Sequence, residues 1–293
     1  MTNPTLVHVG GRYRLARQVR VPLLERGFLF GDGVFETIRT FGRRPFRLAS
    51  HFARLRRSAD ALEIPLPLEE PRFRRIVSGG IERVPGGEVY VRALLTRGVS
   101  PLAYQLPEEP APRLYTFFDP LPPPSPDLLE RGVRVVTWHE EKAGRFAQVK
   151  LMNSVPAILA RHEARKRGAY EVLRLDQRSH LIEGYISNVF VVRSGVLHTP
   201  PATLGLLDGV TRNVILELAA ARGVPVEESL LTVEDAGLAD EVFLSHSSVG
   251  VVPVVEIDQT RVAGGRVGEL TRSFALWFAT LADHPERMEG NVS

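Results

Sequence analysis

The alternation of hydrophobic and polar positions along the chain predicts strands interspersed with helices. Residues Val34 to Phe41 alternate between the two classes, as a half-buried strand does, and Asp32-Gly33 before them is typical of a turn. Apolar residues recur at helical spacing from His51 to Leu62, which predicts a helix that Ser50 caps. The same patterns predict further strands at 5–9, 12–15, 45–48, 88–96, 114–118, 132–138, 170–175, 188–192, 196–199, 241–245 and 251–257, and further helices at 71–84, 155–167, 209–223 and 268–282. Helices mixed with hairpins indicate a mixed α/β (α+β) fold rather than a doubly wound parallel sheet.

A proline-rich segment divides the chain. Residues 120–126 read Pro-Leu-Pro-Pro-Pro-Ser-Pro, and proline lacks an N–H and has a fixed φ. We therefore expect an extended connector over 120–127, an N-terminal domain over 1–119 and a C-terminal domain over 128–293. Two domains agree with the total of 293 residues, since a domain commonly has roughly 100–200 residues.

Composition excludes several classes of protein. The chain has no cysteine, so disulfides, thiolate metal sites and cysteine nucleophiles are excluded, and no His-x-x-x-His pair suggests a metal. The net charge is +3 and scattered, which does not indicate a nucleic-acid partner. No apolar stretch approaches ~20 residues and none follows a charged segment near Met1, so neither a membrane span nor a signal peptide is expected. We predict a cytoplasmic globular protein.

Lysine is rare, which narrows the search for amine chemistry. Of 37 basic residues, three are lysine, at positions 142, 150 and 166. Lys142 follows two glutamates and Lys166 lies between arginines, so both are expected at the surface. Lys150 has apolar neighbours on both sides. Because burial lowers the pKa of an amine, Lys150 is a candidate nucleophile; the alternative is a strand-end lysine whose ammonium reaches water.

Other segments suggest sites for ionic ligands. Glu183 precedes an apolar strand and is either a paired buried carboxylate or an exposed loop residue. The sequence Gly-Val-Thr-Arg at 209–212 begins a predicted helix, where N–H groups attract an anion. Ser247 and Ser248 follow a strand and add hydroxyl donors, unless they form a plain turn. Arg54 is one of four arginines between positions 47 and 57, most of which we expect in solvent.

Together these segments resemble the class IV aminotransferases, which use pyridoxal 5'-phosphate (PLP). That family includes branched-chain aminotransferases, D-amino acid aminotransferases and aminodeoxychorismate lyases. The resemblance extends from Phe30 to about Val267. Its residues are Phe30-Gly31-Asp32-Gly33-Val34-Phe35-Glu36, His51-x-x-Arg54-Leu55, Lys150, Glu183-Gly184 with Asn188, Gly209-Val210-Thr211-Arg212 and Val252-Pro253-Val254.

The resemblance implies a two-domain fold of type IV. Such a fold has a small N-terminal α/β domain and a larger C-terminal mixed-sheet domain shaped as a pseudo-barrel. The family places its cofactor between the two domains and assembles as a homodimer, so both are expected of this chain.

The resemblance also implies the cofactor-binding residues. Lys150 resembles the catalytic lysine, which binds PLP covalently and moves the Cα proton. Glu183 is similar to the carboxylate that keeps the pyridine nitrogen protonated. Phosphate binding is implied for Arg54, Ser247, Ser248 and the backbone amides of Val210 and Thr211.

Substrate-binding residues follow from the same resemblance. Tyr90 and Arg92 alternate to one face of a predicted strand and resemble the pair that holds the substrate carboxylate in branched-chain enzymes. D-Amino acid enzymes carry an arginine and a histidine where this chain has Leu102 and Tyr104, so ordinary D-amino acid specificity is not expected.

Three aromatic side chains complete the predicted substrate site. Phe30 stands where branched-chain enzymes often have tyrosine, and with Phe35 it suggests an apolar wall. Tyr185 occupies a position that is usually small in the family, where it would narrow the site.

The expected function is therefore transfer of an amino group between a hydrophobic, branched-chain amino acid and a 2-oxo acid. Alternatives are a transaminase for D-amino acids or (R)-amines, a 4-amino-4-deoxychorismate lyase, and a PLP-binding protein without turnover.

Overall fold

The computed structural model describes residues 5–139, 144 and 146–281. Lys142 lies outside the described residues, and so does Ala282, at which the last predicted helix ends. The α-helices are α1 (Arg26–Phe30), α2 (Leu48–Ala61), α3 (Glu70–Arg83), α4 (Pro126–Arg131), α5 (Val155–Lys166), α6 (Val210–Ala221), α7 (Val233–Gly237) and α8 (Glu269–Thr280). The strands are β1 (Leu6–Val9), β2 (Arg12–Leu15), β3 (Gly33–Phe41), β4 (Arg44–Pro45), β5 (Glu88–Thr96), β6 (Arg113–Leu121), β7 (Val133–His139), β8 (Glu171–Leu175), β9 (Leu181–Gly184), β10 (Asn188–Arg193), β11 (Val196–Thr199), β12 (Val226–Glu228), β13 (Glu241–His246), β14 (Gly250–Ile257) and β15 (Thr260–Arg261).

Most predicted elements are present, and the start of α2 is the clearest error. The helix begins at Leu48 rather than His51, and Arg47 rather than Ser50 occupies its N-cap position, with φ 51°. The predicted strand at 45–48 is wrong beyond Pro45 for the same reason: the left-handed residue turns the chain into the helix early. Strands β5 and β11 have the predicted bounds.

The first of two compact units comprises Met1–Pro123 and Val149–Asn153. Among its described residues, six strands form an antiparallel sheet in the order β2-β1-β6-β5-β3-β4. Buried apolar side chains of β3, β5 and β6 form one core with those of α2 and α3. Burial of each such side chain stabilises the fold by about 1.5–3 kcal/mol.

The segment Val149–Asn153 belongs to the first unit because it pairs with the start of β3. The N–H of Phe35 donates to the carbonyl of Lys150 at 2.9 Å, and the N–H of Met152 donates to the carbonyl of Gly33 at 3.0 Å. A Cβ at position 33 would lie 2.5 Å from the Leu95 carbonyl, so only glycine fits there. The lysine-bearing segment is thus fixed against the sheet.

The second unit comprises Pro124–Gln148 and Ser154–Ser293. Its described strands form a sheet in the order β12-β11-β10-β13-β14-β7-β8-β9, with β15 beside β14. Strand β7 is parallel to β8 and β14, whereas β13 is antiparallel to β10 and β14, so the sheet is mixed. The strand at the end of this order, β9, also lies near β10. This contact curls the sheet into the predicted pseudo-barrel.

The proline-rich segment contributes to elements on both sides. Pro120 and Leu121 end β6, and Pro126 begins α4, which leaves residues 122–125 between them. The division between the units falls at Pro123 and differs from the predicted linear division, because Val149–Asn153 returns to the first unit.

Candidate active site

Lys150 lies beside an aromatic ring of the first unit. Its Nζ is 4.6 Å from the centroid of the Phe35 ring, on which the guanidinium of Arg92 also rests, at 4.3 Å. The backbone N–H of Lys150 donates to Ser58 Oγ at 3.4 Å. The structure therefore brings together three predicted site residues: a half-buried amine, a guanidinium and the apolar ring that both contact.

Strand β5 carries Tyr90 and Arg92 on one face. Both are half-buried, whereas Val89 and Val91 between them are buried on the other face. Tyr90 Oη lies 3.4 Å from the hydroxyl of Thr37 on β3. The predicted alternation is confirmed, and it places a phenol and a guanidinium side by side.

Arg54 is buried and paired with a carboxylate that the sequence analysis did not single out. Its Nε donates to Glu36 Oε1 at 2.7 Å and its Nη2 donates to Glu36 Oε2 at 2.8 Å. His51 Nδ1 lies 2.7 Å from the same Oε2. Glu36 is inaccessible to solvent and Arg54 is buried, so this ion pair is shielded from water.

Contacts keep Glu36 ionised, whereas burial disfavours the charged form of His51 beside it. Burial raises the pKa of Glu36, but the charge of Arg54 and the hydrogen bonds of Arg54 and His51 outweigh it and hold that pKa well below its usual range. Burial lowers the pKa of His51, and the charges of Arg54 and Lys150 lower it further against the effect of Glu36. The carboxylate is thus a fixed counter-ion that orients Arg54.

Phe30 lies at the end of α1 beside a loop. Its ring is 5.6 Å from that of Tyr104, and the guanidinium of Arg26 lies 5.0 Å from the Phe30 centroid. Arg26 also donates to the carbonyl of Ala103 at 2.8 Å and to Asp32 at 2.7 Å. One buried arginine therefore fixes both the loop and the residue predicted as an apolar wall.

In the second unit, Glu183 is a buried carboxylate in β9, so the interpretation as an exposed loop residue is wrong. Arg174 donates to its Oε1 at 2.8 Å. Asn188 Nδ2 and the N–H of Leu207 donate to its Oε2 at 3.2 and 3.1 Å. The pairing with a cation that the sequence allowed is confirmed. These donors fix an anion that suits a cationic ring nitrogen.

Tyr185 follows Glu183 in a turn and packs on two neighbours. Its ring lies 6.3 Å from that of Trp138 in an edge-to-face arrangement and 5.7 Å from the guanidinium of Arg174. Arg174 therefore contacts both the ring of Tyr185 and the carboxylate of Glu183, which couples their positions.

The N-terminus of α6 contains the predicted anion-binding amides. Val210 and Thr211 are buried in its first turn, and Gly209 at the N-cap has no side chain to satisfy their N–H groups. A Cβ at position 209 would clash with the Asn188 side chain. Arg212 reaches away to Glu228, at 2.5 Å. This approach to Asn188 requires glycine and leaves a helix end suited to a phosphate.

Ser247 and Ser248 form the turn between β13 and β14 and are half-buried. Ser248 Oγ lies 3.0 Å from Nδ1 of His246, whose Nε2 lies 2.9 Å from the hydroxyl of Tyr170. The predicted pair of hydroxyl groups is therefore accompanied by an imidazole and a phenol that sequence reasoning missed.

A second buried glutamate was also missed. Glu171 accepts the N–H of Ile186 at 2.7 Å and the hydroxyl of Ser187 at 2.8 Å. A Cβ on Gly184 would lie 2.6 Å from Glu171 Oε1. Glu171 thus fixes the turn that separates Glu183 from Asn188. Burial raises the pKa of Glu171 to about 7.

The chemistry of these side chains fits a phosphorylated pyridine aldehyde. In the first unit, the amine of Lys150 can bind an aldehyde and the guanidinium of Arg54 suits a phosphate. In the second unit, the carboxylate of Glu183 can pair with a ring nitrogen and the α6 amides suit a phosphate. Among the described residues, no group of three or more histidine or acidic side chains could hold a metal ion. No helix in that part of the chain is long and apolar enough to cross a membrane.

Comparisons with known proteins decide the family. The family model described as amino-transferase class IV matches residues 33–257. The chain belongs to the class IV aminotransferases. This class IV aminotransferase is a transaminase and uses PLP, as the sequence predicted.

Relatives of this class IV aminotransferase cover most of its length. A putative branched-chain-amino-acid aminotransferase of Methanocaldococcus jannaschii is 33% identical over 269 residues, 91% of this chain and 92% of that protein. A D-alanine aminotransferase of Staphylococcus haemolyticus is 32% identical over 271 residues, 92% and 94% of the two chains.

Solved structures confirm the fold type of this aminotransferase. The Escherichia coli branched-chain amino acid aminotransferase matches with TM-score 0.89 and 27% identity over 95% of each chain. The branched-chain aminotransferase of the thermophilic archaeon Thermoproteus uzoniensis, solved with norvaline, matches with TM-score 0.87 and 25% identity over 98% of this chain and 97% of that one.

Proposed function

We propose that this aminotransferase moves the amino group of a hydrophobic, branched-chain L-amino acid to a 2-oxo acid. The observation that carries the proposal is the Phe35 ring, which contacts both the Lys150 amine and the Arg92 guanidinium. An amino acid needs an amine for proton transfer at Cα and a cation for its carboxylate, beside an apolar surface for its side chain. These three features meet at one ring.

Cofactor binding is proposed for residues of both units. In the first unit, Lys150 would hold the aldehyde of PLP and Arg54 its phosphate. In the second unit, Glu183 would pair with the pyridine nitrogen, and the phosphate donors would be Val210, Thr211, Ser247 and Ser248. When bound, PLP accepts the electron pair that the Cα–H bond releases. Arg174 holds Glu183, and Glu36 holds Arg54, each through an opposite charge within 3 Å.

Proton transfer is proposed for the Lys150 side chain. Its Nζ would remove the Cα proton of the amino acid and hold it for the second proton transfer that completes the exchange of the amino group. Pairing of the 149–153 backbone with β3 limits where that amine can reach, and the Phe35 ring excludes water from one side of it. Both contacts position the amine as a base.

Replacing Lys150 tests this assignment. We expect Lys150→Ala to lower kcat by at least about a thousandfold, while the exposed Lys166→Ala serves as the matched control. Borohydride reduction of the PLP-loaded protein, followed by peptide mapping, should label Lys150. Label on another lysine would refute its role.

Carboxylate binding is proposed for Arg92 and Tyr90. We expect Arg92→Ala to raise KM for amino acids about ten- to a hundredfold, and Tyr90→Phe about two- to tenfold, because a charged hydrogen bond is worth more than a neutral one. A primary amine without a carboxylate is the control donor, and its KM should not change. Equal effects on both donors would remove these residues from carboxylate binding.

D-Alanine is the second candidate donor, because a D-alanine aminotransferase is nearly as similar in sequence as the branched-chain relative. The exposed Leu102 and Tyr104 stand in place of the charged residues expected for D-specific binding, which favours the first candidate. The test is a screen of three amino donors, L-leucine, D-alanine and an (R)-amine, with 2-oxoglutarate as the acceptor. Aminodeoxychorismate is assayed separately. Glutamate formed from D-alanine but not from L-leucine would overturn the branched-chain assignment.

A homodimer is proposed from the surface of the first unit. Leu23, Phe28, Leu102 and Tyr104 are each more than 65% exposed, an unusual set for a surface that faces water. Light scattering of Phe28→Asp should show a lower mass than the parent. The exposed Leu276→Asp in α8 is the control, and a dimer unaffected by Phe28→Asp would exclude this surface.

A further inference from the structure

Three side chains of the second unit form a hydrogen-bonded row that ends at Ser248. Tyr170 Oη lies 2.9 Å from His246 Nε2, and His246 Nδ1 lies 3.0 Å from Ser248 Oγ. The imidazole is 7% exposed. A neutral imidazole has one N–H and one acceptor nitrogen, so both bonds run in the same direction along the row.

The two possible directions leave Ser248 in opposite roles. When Tyr170 donates to Nε2, the Nδ1–H group of His246 donates to Ser248 Oγ, and the serine hydrogen points away from the imidazole. When Ser248 donates to Nδ1, its oxygen acts towards other groups as an acceptor. Since anionic oxygens only accept, a bound anion at Ser248 requires the first direction.

The surroundings of Tyr170 make it able to donate. Burial and the charge of Glu171 raise the pKa of Tyr170 to about 12, against the smaller effect of Arg161, so the phenol keeps its proton near neutral pH. The N–H of Tyr170 donates to the carbonyl of Arg134 at 2.7 Å, and its ring stacks on that of His246. These contacts hold the phenol at the start of the row.

We propose that Tyr170 and His246 position the hydroxyl of Ser248 as a hydrogen-bond donor to an anionic oxygen of the bound ligand. The inference rests on the proposed function, in which Ser248 lies at the cofactor phosphate. That oxygen belongs to the phosphate of PLP or to the carboxylate of the amino acid. Tyr170 and His246 are positioning residues, because they act through Ser248.

Ligand pairs that differ by the anion test the proposal. We expect Tyr170→Phe and Ser248→Ala to weaken PLP binding about three- to tenfold and to change pyridoxal binding, which lacks phosphate, less than about twofold. The double variant should bind PLP no more weakly than Ser248→Ala, because both changes remove one interaction. If the two variants instead raise KM for the 2-oxo acid by a similar factor and leave PLP binding unchanged, the anionic oxygen belongs to the substrate carboxylate.

The imidazole provides a readout that is independent of activity. His246→Asn places an amide nitrogen where Nδ1 stood and should retain PLP discrimination, whereas His246→Gln should lose it. In ¹⁵N spectra of the PLP-loaded protein, the imidazole signal of His246 is the one that both variants lack. This signal should be that of a neutral ring protonated at Nδ1.

Any of three results would overturn the inference. The first is an Nε2-protonated His246 in the loaded protein. The second is a Ser248→Ala effect without a Tyr170→Phe effect. The third is that Ser248→Ala changes neither PLP binding nor KM for the 2-oxo acid. Borohydride mapping to Lys150 checks the proposed function separately, so either failure can be told from the other.

Discussion

Glu36 in the first unit and Glu171 in the second are both fully buried, and their surroundings move their pKa values in opposite directions. Glu36 contacts the guanidinium of Arg54 and the imidazole of His51, and its pKa lies well below the usual range. Glu171 accepts hydrogen bonds from neutral groups of Ile186 and Ser187, and burial raises its pKa to about 7.

Burial alone therefore does not determine whether a carboxyl group is charged. A cation in direct contact offsets the desolvation of Glu36, whereas the two neutral donors to Glu171 do so in part. One glutamate acts as a permanent counter-ion and the other changes its charge near neutral pH. Substitutions with glutamine separate the two roles, because glutamine retains the shape and removes the charge.

The largest expected effect is that of Glu36→Gln. It leaves the buried Arg54 without its anion, which should lower the free energy of unfolding by about 3–5 kcal/mol. Urea denaturation measures this loss. Glu69→Gln is the matched control, since Glu69 pairs with the exposed Arg56 on the same helix, α2, and should cost at most about 1 kcal/mol. Equal losses in both variants would contradict the comparison.

The next effect is a dependence of stability on pH that Glu171 causes. Its folded pKa of about 7 exceeds the ordinary value, so the folded state binds more protons and stability falls as pH rises from about 4.5 to 7, by up to about 3 kcal/mol. Glu171→Gln should remove this contribution and be more stable than the parent at pH 8 but not at pH 5. The exposed Glu227→Gln is the control. If the free energy of unfolding of Glu171→Gln depended on pH as that of the parent does, Glu171 would be excluded as the source of this dependence.

A smaller effect is expected from His51→Gln, whose amide takes the place of Nε2 rather than of Nδ1. The variant loses one hydrogen bond to Glu36 but keeps the ion pair with Arg54, so the cost should be about 1–2 kcal/mol by urea denaturation. A loss as large as that of Glu36→Gln would mean that the imidazole, rather than the guanidinium, holds the carboxylate.

The smallest effect concerns a partly exposed carboxylate. Asp235 accepts the N–H and hydroxyl of Thr232 and pairs with Arg193, and these contacts lower its pKa to about 2. Its contribution is present above the ordinary pKa and is lost as pH falls towards 2. Asp235→Ala should cost about 1 kcal/mol at pH 7, and Asp235→Asn, which still accepts a hydrogen bond, should cost less. Both can be measured as shifts in Tm.

Local periodicity predicted the elements of this fold better than their ends. Strand β5 has the predicted bounds because alternation and flanking polar residues agree there. The start of α2 was missed because a left-handed Arg47 cannot be inferred from residue types. Strand β9 was missed because all four of its residues are buried, so its sequence does not alternate between apolar and polar residues.

Residue types identified much of the candidate site, but not its ion pairs. Scarcity of lysine and its apolar neighbours pointed to Lys150, and the family resemblance supplied Glu183 and Arg54. Their partners, Arg174 and Glu36, depend on strand register and helix packing, which one sequence does not specify. Arg174 did leave a signal, since it is the charged residue within the apolar run Val172–Leu175.

The path of the backbone through Val149–Asn153 limits how the chain can be divided into working parts. A fragment that ends at Pro123 lacks Lys150, the proposed catalytic lysine, and leaves the beginning of β3 without its pairing segment. A fragment that begins at Pro124 carries that lysine away from the sheet that orients it. Neither half can therefore be exchanged as an independent module. An enzyme reassembled from the two fragments would have to restore the pairing of Val149–Asn153 with β3 before it regained activity.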